Sequence, residues 1–210
     1  MIDRGTRIGL LLILISPAAI CVAAEAKGAA KQDVPAQRAP LPPVGQIRKL
    51  EGQEYSNAVT ARDNADLALA AYEVAHRKHP NQPAPPENDA EFQKIVEAFK
   101  QAIDSYPGTE MEHHCRLRLA GAYQYRGNFD MTLDEARKDA ERFAGTRLGA
   151  EATQTVALTY LQALHDPAQA TVWFQKLQGE ANRLPGEQER AKWQAAAAEG
   201  LSRCAAEKKQ

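Results

Sequence analysis

Cysteine, aromatic residues and clustered charge are all scarce in this chain, and each scarcity removes a class of function. Only 3 of the 210 residues are Cys. No Cys-x-x-Cys spacing occurs, so neither a dithiol redox centre nor a dense disulfide framework is expected. Aromatic residues make up 6% of the chain, and 26 Lys and Arg nearly balance 27 Asp and Glu, for a net charge of -1. A nucleic-acid surface needs cations gathered against phosphates; none are gathered here, and no nucleic-acid partner is expected. Also missing are a glycine-rich phosphate loop, a Ser-His-Asp order and a paired-carboxylate motif. Neither catalysis nor a cofactor is expected. β-Branched residues do not alternate with polar ones at period two, so a sheet is not expected either.

Long apolar runs are lacking as well. The one candidate, Ile8 to Ile15, follows the basic pair Arg4 and Arg7 and is soon interrupted by Pro17. A bilayer span needs about 20 apolar residues. The run is too short for that, and residues 1–24 read as an export signal cut after Val22-Ala23-Ala24. Two alternatives are an uncleaved anchor and a lipoprotein acylated at Cys21, although Ile20 stands where lipid processing wants a small residue. Removing Asp3, Arg4 and Arg7 leaves 24 basic and 26 acidic residues, a net charge of -2. Membrane contact is expected only if the amino terminus is lipidated or the signal is retained. Cys115 and Cys204 then remain, on helices expected to be two repeat units apart, beyond the roughly 7 Å between α-carbons that a disulfide allows.

Residues 25–50 are rich in Ala, Lys, Gln and Pro, with Pro35, Pro40, Pro42 and Pro43 and almost no large apolar side chain. Such a composition cannot offset its ordering entropy, so a disordered tether is expected. Over 54–79, Ala65, Leu69, Tyr72 and His76 recur at helical spacing in a helix-favouring background, which predicts a long helix. Prolines at 80, 83, 85 and 86 exclude helix and central strand from the loop that follows. His76 and His79 near the helix end read as surface residues favoured by the helix dipole.

Capping signals then recur. Asn88 with Glu91, and Thr109 with Glu112, have the capping-box form; Asp166-Pro167 places proline at a first helical position. Helices are predicted over about 89–106, 110–126, 129–143, 147–164, 167–183 and 187–206. The segment also matches itself at an offset of 37: Tyr106-Pro107-Gly108-Thr109 returns as Phe143-Ala144-Gly145-Thr146, Leu119-Ala120 as Val156-Ala157, and Tyr123 as Tyr160. A period of 20 to 50 residues marks repeat architectures, whose short helices are stable only when stacked.

Leu119-Ala120-x-x-Tyr123, Val156-Ala157-x-x-Tyr160, Ala170-x-x-x-Phe174 and Phe99-x-x-Ala102 leading to Pro107 resemble the tetratricopeptide repeat over residues 88–206. Arg116 and Thr153 stand where that family prefers Trp, and neither Trp193 nor Ala195 to Ala198 falls in the repeat register. The turns are similar to those of periplasmic envelope proteins such as outer-membrane assembly lipoproteins and Tol-Pal coordinators. The resemblance implies an all-α, right-handed solenoid of antiparallel helix hairpins and an exported, non-catalytic scaffold binding a protein or peptide segment of the cell envelope. It also implies a concave groove lined by His114, Leu117, Gly121 and Gln124 from one repeat and Glu151, Gln154, Leu158 and Gln162 from the next. Lys and Asn for clamping a terminal carboxylate are missing from those positions. Leu117, Gly121 and Leu158 would instead form an apolar strip for an amphipathic or extended segment, or only cover the adjacent helix.

One cluster offers an alternative. His113-His114-Cys115, with Glu110 and Glu112 beside it, contains metal-ligand types, and a small accessory or metal-binding factor could use it. Adjacent helical residues diverge by about 100°, however, so they do not readily share one ion.

Overall fold

A computed structural model describes residues 41–76 and 89–207, and the expected export signal, the tether up to residue 40 and the proline-rich loop lie outside them. Seven α-helices occur among the described residues: α1 (Gly52–Ala75), α2 (Ala90–Ser105), α3 (Glu110–Arg126), α4 (Phe129–Arg142), α5 (Arg147–Leu158), α6 (Pro167–Ala181) and α7 (Glu187–Glu207). The fold is all-α. Each helix packs on its neighbours in the chain, and α1 also touches α3, α3 touches α5 and α5 touches α7. Such stacking is compatible with a solenoid.

Local chemistry explains the boundaries. In α2, Phe92, Ile95, Val96, Phe99, Ala102 and Ile103 are buried at helical spacing, the single apolar stripe that a surface helix needs. Its cap is Asp89, whose carboxylate accepts from the amides of Glu91 and Phe92; the cap expected at Asn88 lies outside the described residues. Asp166 caps α6 through the amides of Ala168 and Gln169, with Pro167 at the first position.

The 37-residue match is a match of geometry. Before α3, the Thr109 hydroxyl donates to the Tyr106 carbonyl at 2.6 Å and accepts from the Glu112 amide at 3.2 Å. Before α5, Thr146 donates to Phe143 at 2.7 Å and accepts from Gly149 at 3.2 Å. Gly108 and Gly145 have φ of 74° and 79°, a region that glycine enters without a Cβ penalty. After Tyr160 the offset becomes 38. A π-helical turn, Thr159–Ala163, absorbs the extra residue. His165, at φ 52°, then takes the left-handed place of Gly127, and Asp166 takes that of the cap Asn128.

Two expectations require correction. Trp193 does fall in register when helices are aligned on their first residues, because it is the seventh residue of α7, as Arg116 is of α3 and Thr153 of α5. Ala120, Ala157 and Ala197 likewise share the eleventh position, each fully buried. The π-helical turn, the extra residue of α6 and the longer connection to α7 each add one residue, which hides this from a fixed offset. At the fourteenth position Gly200 replaces Tyr123 and Tyr160; a Cβ there would lie 2.2 Å from the Phe174 ring, which fills the space.

The second correction concerns the tether, whose last ten residues, 41–50, follow a defined course. The Gly45 amide donates to the Arg142 carbonyl at 3.1 Å, and the Arg48 amide to the Gly108 carbonyl at 2.7 Å. Arg48 and Thr109 form a parallel bridge, and Leu50 packs on the core of α1, α2 and α3. Composition misleads here because the order comes from carbonyls at distant helix turns, not from apolar content within the segment.

One core joins α1, α2 and α3, a second joins α5, α6 and α7, and a small third of Leu133, Ala136 and Val156 joins α4 to α5. Beside the third lies a buried polar layer of α3 and α4 containing Glu112, His113, Glu135 and Asp139.

Candidate functional site

The cap at Thr109 sets up this layer. Glu112 accepts from the Gly108 amide at 2.5 Å, which holds its carboxylate inward, and its other oxygen accepts from Arg116 at 3.0 Å. Arg116 reaches on to Glu135 of α4 at 2.9 Å. Burial opposes its charge, but Glu112 and Glu135 outweigh that and hold Arg116 protonated.

One residue along, His113 Nδ1 meets Asp139 Oδ2 at 2.5 Å and Nε2 faces Glu151 Oε2 at 3.5 Å. The imidazole thus ties α3 to α4 and α5. Burial opposes its protonation, but hydrogen bonds to Asp139 and Glu151 prevail and raise its pKa to about 9. Burial raises Asp139 to about 6 against the pull of His113, while the hydrogen bond from His113 lowers Glu151. At neutral pH the three are ionised.

His114 points elsewhere. Its Nε2 meets Asp66 of α1 at 3.1 Å, and Arg118 donates to the other Asp66 oxygen at 2.8 Å. Cys115 is fully buried in the first core, and burial raises its thiol to about 12. The three adjacent residues therefore face three different surroundings, and the metal cluster considered from sequence is not assembled. Among the described residues no group of three or more His, Cys, Asp or Glu could hold an ion. Cys115 and Cys204 are both free and buried, in separate cores. His76 ends α1, stacked on Tyr72 at 4.1 Å between ring centroids; His79 lies outside the described residues.

Where α1, the segment 47–51 and the first halves of α3 and α5 converge, they enclose a groove of about 870 Å³. Its apolar lining includes Ile47, Leu50, Tyr55, Met111, Leu117 and Leu148. Among the charged lining residues, Arg48, Lys49, Arg62, Arg118 and Arg147 outnumber Glu51, Glu110 and Glu151. Of the groove residues expected from sequence, His114, Leu117 and Glu151 line it. Gly121, Gln124, Gln154, Leu158 and Gln162 do not. Gly121 has open space around it, Gln124 and Gln162 are exposed, Gln154 is half-buried, and Leu158 packs on the second core. The expected strip follows helix periodicity along the whole of α3 and α5, whereas this cavity lies at their first halves, where segment 47–51 supplies another wall.

Sequence reasoning missed the five cations. Arg48 and Lys49 fell within the expected tether, and Arg62 belongs to a helix placed outside the repeat domain. Arg147 forms an ion pair with Glu110, 37 residues earlier at the start of α3, a contact that the self-match of the turns did not announce.

Comparison of the chain with models of known protein families, with curated proteins and with solved structures found no match to any of them.

Proposed function

We propose that the chain is a non-catalytic adaptor whose helices form a right-handed, tetratricopeptide-like solenoid and hold a segment of another protein in the groove beside Leu117. The observation that carries this reading is the groove itself, of about 870 Å³, with an apolar floor and a charged rim. Anchoring side chains can enter such a floor while the rim selects among partners. Supporting the repeat reading are the equivalent turns before α3 and α5 and the shared small eleventh position of α3, α5 and α7. The hairpins are α1 with α2, α3 with α4 and α5 with α6, and α7 closes the array.

With the amino-terminal export signal read above, the site of action is the periplasm and the partner a cell-envelope protein. A photo-reactive residue in place of Tyr55, which also lines the groove, activated in intact cells, is expected to capture a discrete partner, and adding Leu117→Asp to abolish that capture with helical content unchanged. Undiminished capture by Leu117→Asp removes the groove from consideration. A mass for the purified amino terminus that begins at Glu25 supports export with cleavage; an acyl mass on Cys21 replaces it with a membrane-anchored adaptor.

A further inference from the structure

His113 stands between carboxylates on two different helices, and that placement gives its two ring protons unequal roles. Nδ1 meets Asp139 of α4 at 2.5 Å, and Nε2 faces Glu151 of α5 at 3.5 Å. An imidazolium carries an N–H on each nitrogen and serves both carboxylates at once, whereas a neutral imidazole keeps one N–H and turns a lone pair outward from the other nitrogen. One of the two ties therefore fails when the ring loses a proton.

The surroundings decide which. The Asp139 side chain is 0% exposed, and its Oδ1 is buried with no hydrogen-bond partner among the described residues. Removing the Nδ1 proton would leave that carboxylate buried and unsatisfied, the costlier outcome. The Glu151 side chain is 47% exposed and lines the groove together with His113, so water can hydrate its carboxylate and take up the departing proton. The neutral ring keeps its proton on Nδ1 and sets a lone pair against Glu151, acceptor facing acceptor.

The other groups around the ring do not restore that tie. From α4, Phe143 offers only a ring edge, 5.8 Å away between centroids. Within α3, Glu112 and Arg116 act on Asp139 with opposite signs. Arg147 of α5 and Lys192 of α7 act on Glu151, while Arg62 of α1 and Arg48, Lys49 and Glu51 of segment 47–51 line the same cavity. Glu110 and Arg147 form the other ion pair from α3 to α5 among the described residues. Both are exposed, and such a pair holds weakly.

The geometry points to a proton-dependent clasp: with both ring nitrogens protonated, His113 holds the first half of α5 against α3, and loss of the Nε2 proton frees that half of α5 while α3 and α4 stay joined. Leu148 and Glu151, the α5 side of the groove, move with it, so the groove loosens as pH rises. The clasp acts whether or not the groove holds a partner.

Hydrogen–deuterium exchange of the purified full-length protein, read by mass spectrometry at pH 7.5 and pH 9.5 and corrected for intrinsic rates, tests it. Residues 147–153 should lose about tenfold more protection than residues 129–142, with a midpoint near pH 9, to which the carboxylates raise the ring. In Glu151→Gln, a change at a half-exposed side chain, the amide can accept from the charged ring or turn over and donate to the neutral one, so α5 should stay protected at both pH values. Nitrogen-15 spectra of the ring at pH 9.5 should place its remaining proton on Nδ1. Unchanged protection of α5 in the native chain overturns the clasp, and so does equal loss in α4 and α5, which reduces the cluster to a contribution to global stability. The same selective loss in Glu151→Gln removes Nε2 as the cause, and a proton found on Nε2 at pH 9.5 overturns the release of α5.

Discussion

His113 holds three helices through one ring, so its ionisation is also a statement about stability. Its pKa is about 9 in the fold against 6.5 for the free side chain. The folded state therefore binds more protons than the unfolded one between those values, and stability falls as pH rises through that window. The His113 contribution is present near pH 6.5, where Asp139 is still largely ionised, and is lost as pH rises through about 9; it amounts to about 3 kcal/mol. Urea unfolding at pH 6.5 and pH 9.5 should show that loss in the native chain and a smaller one in His113→Gln. Equal slopes would remove the ion cluster as their cause. Two glycines provide a second residue-scale comparison. Gly200→Ala drives a methyl into the buried Phe174 ring and should cost about 1 to 2 kcal/mol after the gain in helix propensity. Gly179→Ala, with open space around it in α6, should stabilise by about 0.5 to 1 kcal/mol. Thermal unfolding of the two variants should move in opposite directions.

Among elements, the segment 41–50 was the least legible and the helices the most. Caps at Thr109, Thr146 and Asp166 act through their own neighbours three or fewer residues away, so the local sequence suffices to place α3, α5 and α6. Segment 41–50 depends on carbonyls of Gly108 and Arg142, which no local pattern announces. Replacing residues 41–48 by Gly and Ser keeps the amides that donate to those carbonyls but raises the entropy cost of ordering them and removes the Ile47 and Arg48 side chains, and should cost about 1 to 3 kcal/mol, read from the urea midpoint. An unchanged midpoint would mean that the segment lies on the helices without holding them. Trp193 anchors α7 at the other end, with its indole donating to Glu189 at 3.0 Å. Trp193→Ala should destabilise by about 3 to 5 kcal/mol, measured the same way, and a cost below about 1 kcal/mol would show that α7 is held by its alanines alone.

At the scale of the whole molecule, a buried charged layer on α3 and α4 lies beside three apolar clusters, the smallest of which, Leu133, Ala136 and Val156, joins α4 to α5. Asp139 corresponds, at the offset of 38 that follows the π-helical turn, to Leu177, and both are fully buried. One hairpin thus uses an ion pair where the next uses a leucine. Burying paired charges is seldom more stabilising than an apolar replacement, whereas removing one partner is costly. Asp139→Leu alone should therefore strand His113, while Asp139→Leu combined with His113→Leu should recover most of the lost stability in a double-mutant cycle. If the double variant is no more stable than Asp139→Leu, the layer does more than neutralise its own charges.

The sequence by itself determined the helical class, the helix boundaries to within a few residues and the repetition of the turns, because propensity, capping and periodicity act over one or two turns of chain. Only the tertiary structure decided that residues 47–51 wall the groove, that His113 and His114 face different helices, and that Leu117 and Glu151 share a cavity while Gly121 and Leu158 do not. Those outcomes depend on which distant surfaces meet, and helical spacing specifies a face of each helix without specifying what lies opposite it.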